Sequence, residues 1–282
     1  MRADFARAAA TYDGAAVLAR ETGRRLGERL SLTRLAPRRI ADIGCATGDG
    51  ARDLAMRYPG AHVLAVDFAR PMLSAVRARE PWLRRLRGLG PQPVQADCRQ
   101  LPLADGSVDL VWSNLVLHWL DDPQPALAEL HRVLAIGGLL TFAVFGPDTA
   151  KEWHAATSNY SGGGTAHGRP PARRFMDMHD WGDLLAQTGF ADPVMDRDDI
   201  VLSYGSGRQM LADQRHLGVR NALFGVPRWR AVRAALRDWP RDAEGRRPLT
   251  FEVAFGQAWK APPRRNDGVQ PVTFHQRPKS LR

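Results

Sequence analysis

Ile40-Ala41-Asp42-Ile43-Gly44-Cys45-Ala46-Thr47-Gly48-Asp49-Gly50 is a short apolar run that passes through small residues into a helix start. A turn with little side chain lets a ligand touch the backbone, and the first N–H groups of the next helix are free to meet it. A phosphate-binding loop has a similar outline, but it needs a lysine in a Walker arrangement, which is absent, and Asp42 repels a phosphate. A carboxylate at that strand end suits a cation or a hydrogen-bond donor.

Outward from this turn the chain alternates β-rich runs with helical patterns, the signature of a parallel sheet with helices on both faces. Strands are predicted at Arg39–Ile43, His62–Val66, Pro93–Ala96, Val108–Trp112 and Leu139–Phe145. Helices are predicted over Gly50–Tyr58, Pro71–Arg79 and Pro123–Leu134, the last two opening on a proline whose missing N–H costs nothing in a first turn. Ahead of the sheet, Ala6–Leu35 reads as one or two helices, with Val17, Leu18, Leu26 and Leu30 near helical spacing. Behind it, Ser158–Arg174 is rich in glycine, proline and arginine and reads as a loop or mobile lid. A helix over Met178–Gln187, a strand near Ile200–Tyr204, helices near Arg208–Leu217 and Arg228–Leu236, and a last strand over Leu249–Trp259 complete the pattern. The expected divisions are an N-terminal helical cap (1–37), a Rossmann-like core (38–146), a lid or insertion loop (147–177), the rest of the domain (178–260) and a disordered tail (261–282).

Cys45 and Cys98 form no disulfide framework and read as packing residues of a reducing cytoplasm. The chain begins without a signal-peptide apolar run, and no stretch reaches the ~18 apolar residues of a membrane helix, so a soluble, cytoplasmic protein is expected. The formal net charge of +10 permits an acidic partner. Only Lys151, Lys260 and Lys279 among the 40 basic residues are lysine. The arginines lie beside Asp and Glu rather than between aromatics, which argues against single-strand nucleic-acid binding. Neither nucleic acid nor membrane is an expected partner.

Two further acids follow Asp42. Asp67 ends the second strand, where a carboxylate accepts from two ribose hydroxyls, a feature shared with dinucleotide enzymes. Asp97 ends the third, and three acids at successive strand ends exceed what solvated turns supply by accident. The fourth strand runs Asp109-Leu110-Val111-Trp112-Ser113-Asn114-Leu115 into the crevice and lacks the Asn/Asp-Pro-Pro-aromatic sequence of nucleobase N-methyltransferases. His118, beside Trp119 on an apolar stretch, reads as a packed or cofactor-edge residue rather than a base.

Residues 38–146 resemble class I methyltransferases, with Ala46 in place of the middle glycine of the Gly-x-Gly-x-Gly turn. The resemblance implies an α/β, Rossmann-like, mostly parallel seven-stranded sheet and an S-adenosylmethionine site, with S-adenosylhomocysteine as product and no metal. It implies cofactor contacts from Asp42, Gly44, Ala46, Gly48, Asp67, Phe68, Met72, Asp97, Cys98, Asn114 and Leu115, with Asp97 accepting from the adenine amino group. The flanks, Phe5-Ala6-Arg7-Ala8-Ala9-Ala10-Thr11-Tyr12-Asp13, Arg174-Phe175-Met176-Asp177-Met178-His179-Asp180, Gly189–Asp196 and Thr250-Phe251-Glu252-Val253, resemble the BioC family of malonyl-acyl carrier protein O-methyltransferases of biotin synthesis.

That resemblance implies methyl transfer to the free carboxylate of a malonyl thioester on acyl carrier protein. Such a carboxylate is ionised at neutral pH, so no general base is needed. Tyr12, Trp119 and Arg174 are then candidates for positioning the acceptor. Arg20, Arg24, Arg25 and Arg29, with Arg208, Arg215 and Arg220, are candidates for docking an acidic carrier. Two other readings stay open: a protein-arginine hydroxylase of the complex I assembly-factor type on the same fold, and a non-catalytic scaffold that binds S-adenosylmethionine.

Overall fold

The computed structural model describes residues 2–83, 90–158, 173–225 and 229–262. The predicted tail therefore lies outside the described residues from position 263, as do most of the Ser158–Arg174 loop and the start of the Arg228–Leu236 helix.

Among the described residues the strands form one seven-stranded sheet in the order β3-β2-β1-β4-β5-β7-β6. They are β1 (Arg39–Ile43), β2 (His62–Asp67), β3 (Gln92–Gln95), β4 (Val108–Asn114), β5 (Leu134–Phe145), β6 (Ala191–Tyr204) and β7 (Arg247–Trp259). The first five pair in parallel, while β7 inserts antiparallel between β5 and β6. Central strands buried on both faces carry continuous apolar runs, and Ile40, Ala41, Leu110 and Val111 have no exposed surface. Gly256 of β7 is needed for packing, since a Cβ there would lie 2.3 Å from the Phe142 ring of β5.

The covering helices are α4 (Asp49–Arg57), α5 (Arg70–Arg79), α6 (Gln124–Val133) and α8 (Met178–Gln187). Met72, Val76, Leu127, Leu130, Trp181 and Leu185 on these helices are buried. Asp177 caps α8 by accepting the His179 N–H.

The N-terminal cap is three helices rather than one or two: α1 (Arg2–Ala8), α2 (Tyr12–Ala15) and α3 (Val17–Leu30). Leu18, Leu26 and Leu30 of α3 are buried, whereas Val17 is exposed. The segment expected as lid opens with α7 (Lys151–Ser158), anchored by buried Trp153, whose ring stacks 4.5 Å from Phe224 and whose Nε1 donates to the Phe224 carbonyl. Phe224 ends α10 (Arg220–Phe224), which follows α9 (Gly207–His216) and precedes α11 (Trp229–Arg237).

The largest departure from the sequence expectation is β6. It runs from Ala191 rather than from near Ile200, with a register shift between Ala191 and Val194 that accommodates Pro193. An edge strand tolerates proline and charge, and its acids have partners across the fold. Arg29 of α3 pairs with Asp196 and Asp198, and its guanidinium lies 3.9 Å over the Phe255 ring.

Candidate active site

Strand order reverses between β1, whose outer neighbour is β2, and β4, which leads to β5. A crevice opens at the carboxyl ends of strands at such a switch point. The β1–α4 turn fills its floor. Gly44 and Cys45 both donate to the Val66 carbonyl of β2, at 2.8 and 3.0 Å. Gly44 has φ +73°, and a Cβ there would sit 2.3 Å from Val116 Cγ2. Gly48 has φ +87° and a Cβ would approach Val76 to 2.9 Å, so neither position takes a side chain. Ala46 holds φ +47°, a left-handed conformation that costs a non-glycine residue about 1 kcal/mol or more.

A cavity of about 630 Å³ lies above this turn, bounded by α3 and lined by Tyr12, Asp42, Gly44, Ala46, Trp112 and Asn114 among others. Asp42 is 2% exposed. Burial above all, then the neighbouring Asp67, pushes its pKa up to about 8 against the pull of the Ala51 N–H. Asp67 is buried too and is raised to about 6 by burial, while the N–H groups of Ala69, Ala46 and Phe68 hold it down. Its two oxygens accept from Ala69 at 2.7 Å and Ala46 at 3.0 Å. Two buried carboxyls side by side, with no basic side chain among the described residues bonded to either, form a place where a cation is stabilised.

Other polar atoms of the lining are buried without a partner among the described residues: Trp112 Nε1, a donor, and Asn114 Oδ1 and Glu80 Oε2, acceptors. A ligand end carrying both an ammonium and a carboxylate matches a lining that offers Asp42 and Asn114 Oδ1 to the first and Trp112 Nε1 to the second. The chemistry of S-adenosylmethionine therefore fits the residues present. Among the described residues no group of three or more His, Cys, Asp or Glu side chains is arranged to hold a metal, and no helix is long and apolar enough to cross a membrane.

The cap is fastened to this floor. Asn114 Nδ2 donates to the Ala19 carbonyl of α3 at 2.8 Å, and Thr47 Oγ1 donates to Asp13 Oδ1 at 2.6 Å. Arg79 forms ion pairs with Asp13 and Asp49. Tyr12 stands between cap and turn, and burial, then Asp67, Asp49 and Asp42, push its phenol up, so it acts as a neutral donor.

The predicted nucleoside end is arranged differently from the predicted methionine end. Asp67, Asp97, Cys98, Met72 and Leu115 are absent from the cavity lining. Phe5 of α1 packs edge-on against Phe68 at 6.2 Å and against Trp119 at 6.3 Å, which covers this side. Asp97 is engaged by Arg99 through both carboxylate oxygens, with its side chain 44% exposed. Met72 is buried, Cys98 half-buried, and Leu115 takes φ +57° where β4 leaves the sheet. Burial, then Asp97, raises the Cys98 thiol to about 11, and burial raises the Cys45 thiol well above its usual value, so both stay protonated and unreactive.

Trp119 belongs to an aromatic cluster with His118, Phe145 and Phe175, at ring distances of 4.5 to 6.0 Å. Burial, then Arg173, keeps His118 well below its usual range. Its Nδ1 accepts the Phe145 N–H at 3.2 Å, while Nε2 has no partner. Arg174 is exposed. The adjacent Arg173 turns inward to pair with Asp121 and bond the Leu120 carbonyl. The arginines predicted for docking divide into two groups. Arg24 pairs with Glu21 and Glu28, Arg25 with Glu21 and Asp198, and Arg29 with Asp196 and Asp198, while Arg20 bonds the Asp13 carbonyl. Arg25 and Arg29 tie α3 to β6, whereas the pairs of Arg24 lie within α3 and the bond of Arg20 within the cap. Arg208 and Arg215 are exposed and Arg220 is half-buried.

Sequence reasoning missed Trp112, Asp13, Arg79 and Glu80 as site residues. For Trp112 a signal was available: an indole in a strand buried on both faces needs an acceptor for its N–H.

A methyltransferase-domain family matches residues 41–142. The chain is 46% identical to the malonyl-[acyl-carrier protein] O-methyltransferase of Laribacter hongkongensis (strain HLHK9), over 98% of this chain and 95% of that protein. It is 43% identical to the protein of that name from Gallionella capsiferriformans (strain ES-2), over 95% and 93%. Among solved structures it resembles the YcgJ protein of Bacillus subtilis, with a TM-score of 0.56 and 16% identity, covering 84% of this chain and 98% of that one.

Proposed function

Because the chain belongs to the malonyl-[acyl-carrier protein] O-methyltransferase family, we propose that it transfers a methyl group from S-adenosylmethionine to the free carboxylate of a malonyl group carried on acyl carrier protein. The observation that carries the reading at the site is Asp42: a buried carboxyl at a strand end, facing a cavity, with no cationic partner among the described residues.

Bound S-adenosylmethionine supplies an electrophilic methyl on a sulfonium. In this reading Asp42 and Asn114 receive its ammonium, and the bare backbone of Gly44, Ala46 and Gly48 allows close approach. Asp67 accepts from the ribose once it shares or releases the Ala46 N–H. Asp97 serves the adenine amino group in competition with Arg99, and Phe68, Met72, Cys98 and Leu115 flank the base. The side chains then have little proton chemistry to perform, since a malonyl carboxylate is already ionised. A carboxylate oxygen forms the new bond to the methyl carbon as the carbon–sulfur bond breaks, leaving a methyl ester and a neutral thioether. His118, held neutral in its aromatic cluster, is not required as a base. Tyr12 donates to the acceptor, Trp119 walls it, and Arg174 is the proposed cation for the malonyl end. Excluding water from both charges and aligning oxygen with methyl supply the rate.

Incubation with S-adenosylmethionine tritiated on its methyl tests this. Base-labile label on malonyl-acyl carrier protein, and none on acetyl-acyl carrier protein, is expected. Cofactor binding without any transfer would leave a scaffold, and oxygen insertion at a protein arginine would indicate the hydroxylase reading.

A further inference from the structure

A second cavity, of about 410 Å³, lies behind the N-terminal cap. Its walls are α1, through Asp4 and Arg7, the α1–α2 turn at Thr11, and the α9–α10 corner, through Arg215, Arg220 and Asn221. The fold holds the two sides closely together: Gly218 has φ +79°, and a Cβ on it would lie 3.0 Å from the Asp4 carbonyl. Three arginines face one carboxylate, Asp4, which Arg7 already engages. Among the described residues the side chains of Arg215 and Arg220 have neither an ion pair nor a hydrogen bond. Burial, then the nearby Arg215, lowers the pKa of Arg220, which marks a half-buried guanidinium lacking a counter-charge. A planar fork of this kind, short of an anion and next to a second one, matches the oxygens of a phosphate.

We infer that Arg215 and Arg220 bind the phosphate ester of the thiol arm that presents the acyl group. This rests on the proposed function, because an acyl carrier protein bears its thioester on an arm joined to the protein through a phosphodiester. The placement agrees with that role. Thr11 lines this cavity and Tyr12, the next residue, lines the cofactor cavity. An arm crossing the α1–α2 turn thus joins a phosphate at Arg220 to an acyl end at Tyr12. The site differs from salt-screened docking, because it recognises one group at one place rather than an acidic surface.

The test compares KM for malonyl thioesters of pantetheine and of 4′-phosphopantetheine, with malonyl-coenzyme A and malonyl-acyl carrier protein as further arms. The phosphorylated thioester is expected to have a KM about tenfold lower than the unphosphorylated one, the scale of a charge-assisted pair. Arg220→Met and Arg215→Met are expected to bring the ratio close to one, whereas Arg233→Met, at an exposed arginine outside the cavity, leaves it in place. Equal KM values in the wild type, or a ratio that survives both substitutions, overturn the inference. A preference for coenzyme A over phosphopantetheine and carrier protein alike reassigns the site to a nucleotide-bearing arm, and overturns it as well. If no thioester is methylated, the proposed function fails; calorimetry with 4′-phosphopantetheine then decides this site by itself, with binding lost in Arg220→Met supporting it and no binding to the wild type refuting it.

Discussion

Replacing Asp42 by asparagine separates what this residue does for folding from what it does for binding, because the two effects have opposite signs. Its carboxyl ionises at about 8 in the fold and at the model-peptide value of 3.8 when exposed in the unfolded chain. Between those values the folded protein holds a proton that the unfolded chain has released. Stability from this group is therefore complete below pH 3.8 and is lost as the pH rises through about 8. At pH 7 the buried carboxyl costs roughly 4 kcal/mol relative to a neutral side chain of the same shape. Asparagine keeps an oxygen for the Ala51 N–H but adds an amide nitrogen needing an acceptor, at about 1–3 kcal/mol. The net expectation for Asp42→Asn is a gain of about 2 kcal/mol at pH 7, seen as a higher Tm whose fall with pH is flatter than in the wild type. Binding responds in the other direction. A cation beside Asp42 favours the ionised form, so S-adenosylmethionine releases a proton as it binds. Its Kd should fall nearly tenfold between about pH 6.5 and about pH 7.5 in the wild type, and Asp42→Asn should bind weakly with no such slope. Titration calorimetry in buffers of different ionisation enthalpy counts the proton directly. A variant that loses Tm while keeping wild-type affinity would refute the reasoning, as would a Kd flat across this range in the wild type.

Trp112→Phe removes a buried donor that has no partner among the described residues, so stability should hold within about 1 kcal/mol while S-adenosylmethionine affinity falls about tenfold; thermal melts and calorimetry read the two separately. Asp67→Ala strips the acceptor from the N–H groups of Ala46 and Ala69, costing about 1–3 kcal/mol, and should abolish detectable cofactor binding. Unchanged affinity by calorimetry would mean that the ribose assignment is wrong. Arg29→Met removes its ion pairs from α3 to β6 and leaves Arg25–Asp198, and partial exposure of the pairs limits the loss to about 1 kcal/mol in denaturant unfolding. Its KM for carrier protein should not move, whereas a rise would make Arg29 a docking residue.

The parts of the fold legible in the sequence are those dictated by local chemistry. The run Ile40–Ile43 is apolar because β1 is buried on both faces, and Gly44 and Gly48 are glycines because no Cβ fits there. Asp42, Asp67 and Asp97 could be placed at or next to strand ends from the apolar runs that precede them and the family resemblance. The rest depends on partners far away in the chain. The first half of β6 is charged and holds Pro193, which reads as a loop until Arg29, distant in sequence, is seen to pair with Asp196. The arginines of α3 read as a basic docking face for the same reason, since their carboxylates lie on β6 or one turn away. Lys151–Ser158 lacks a strong helical period, and Trp153 becomes an anchor only once Phe224 is stacked on it. That Arg173 is the half-buried arginine, paired with Asp121, while Arg174 is exposed has no signal in two adjacent arginines.

A crystal structure with S-adenosylhomocysteine bound tests most directly whether the strand tips serve one ligand. One nucleoside should lie with its ammonium within hydrogen-bond reach of Asp42 and its ribose hydroxyls on Asp67, with Trp112 Nε1 turned to its carboxylate. A nucleoside seated elsewhere, with Asp42 and Asp67 touching nothing on it, would contradict the account.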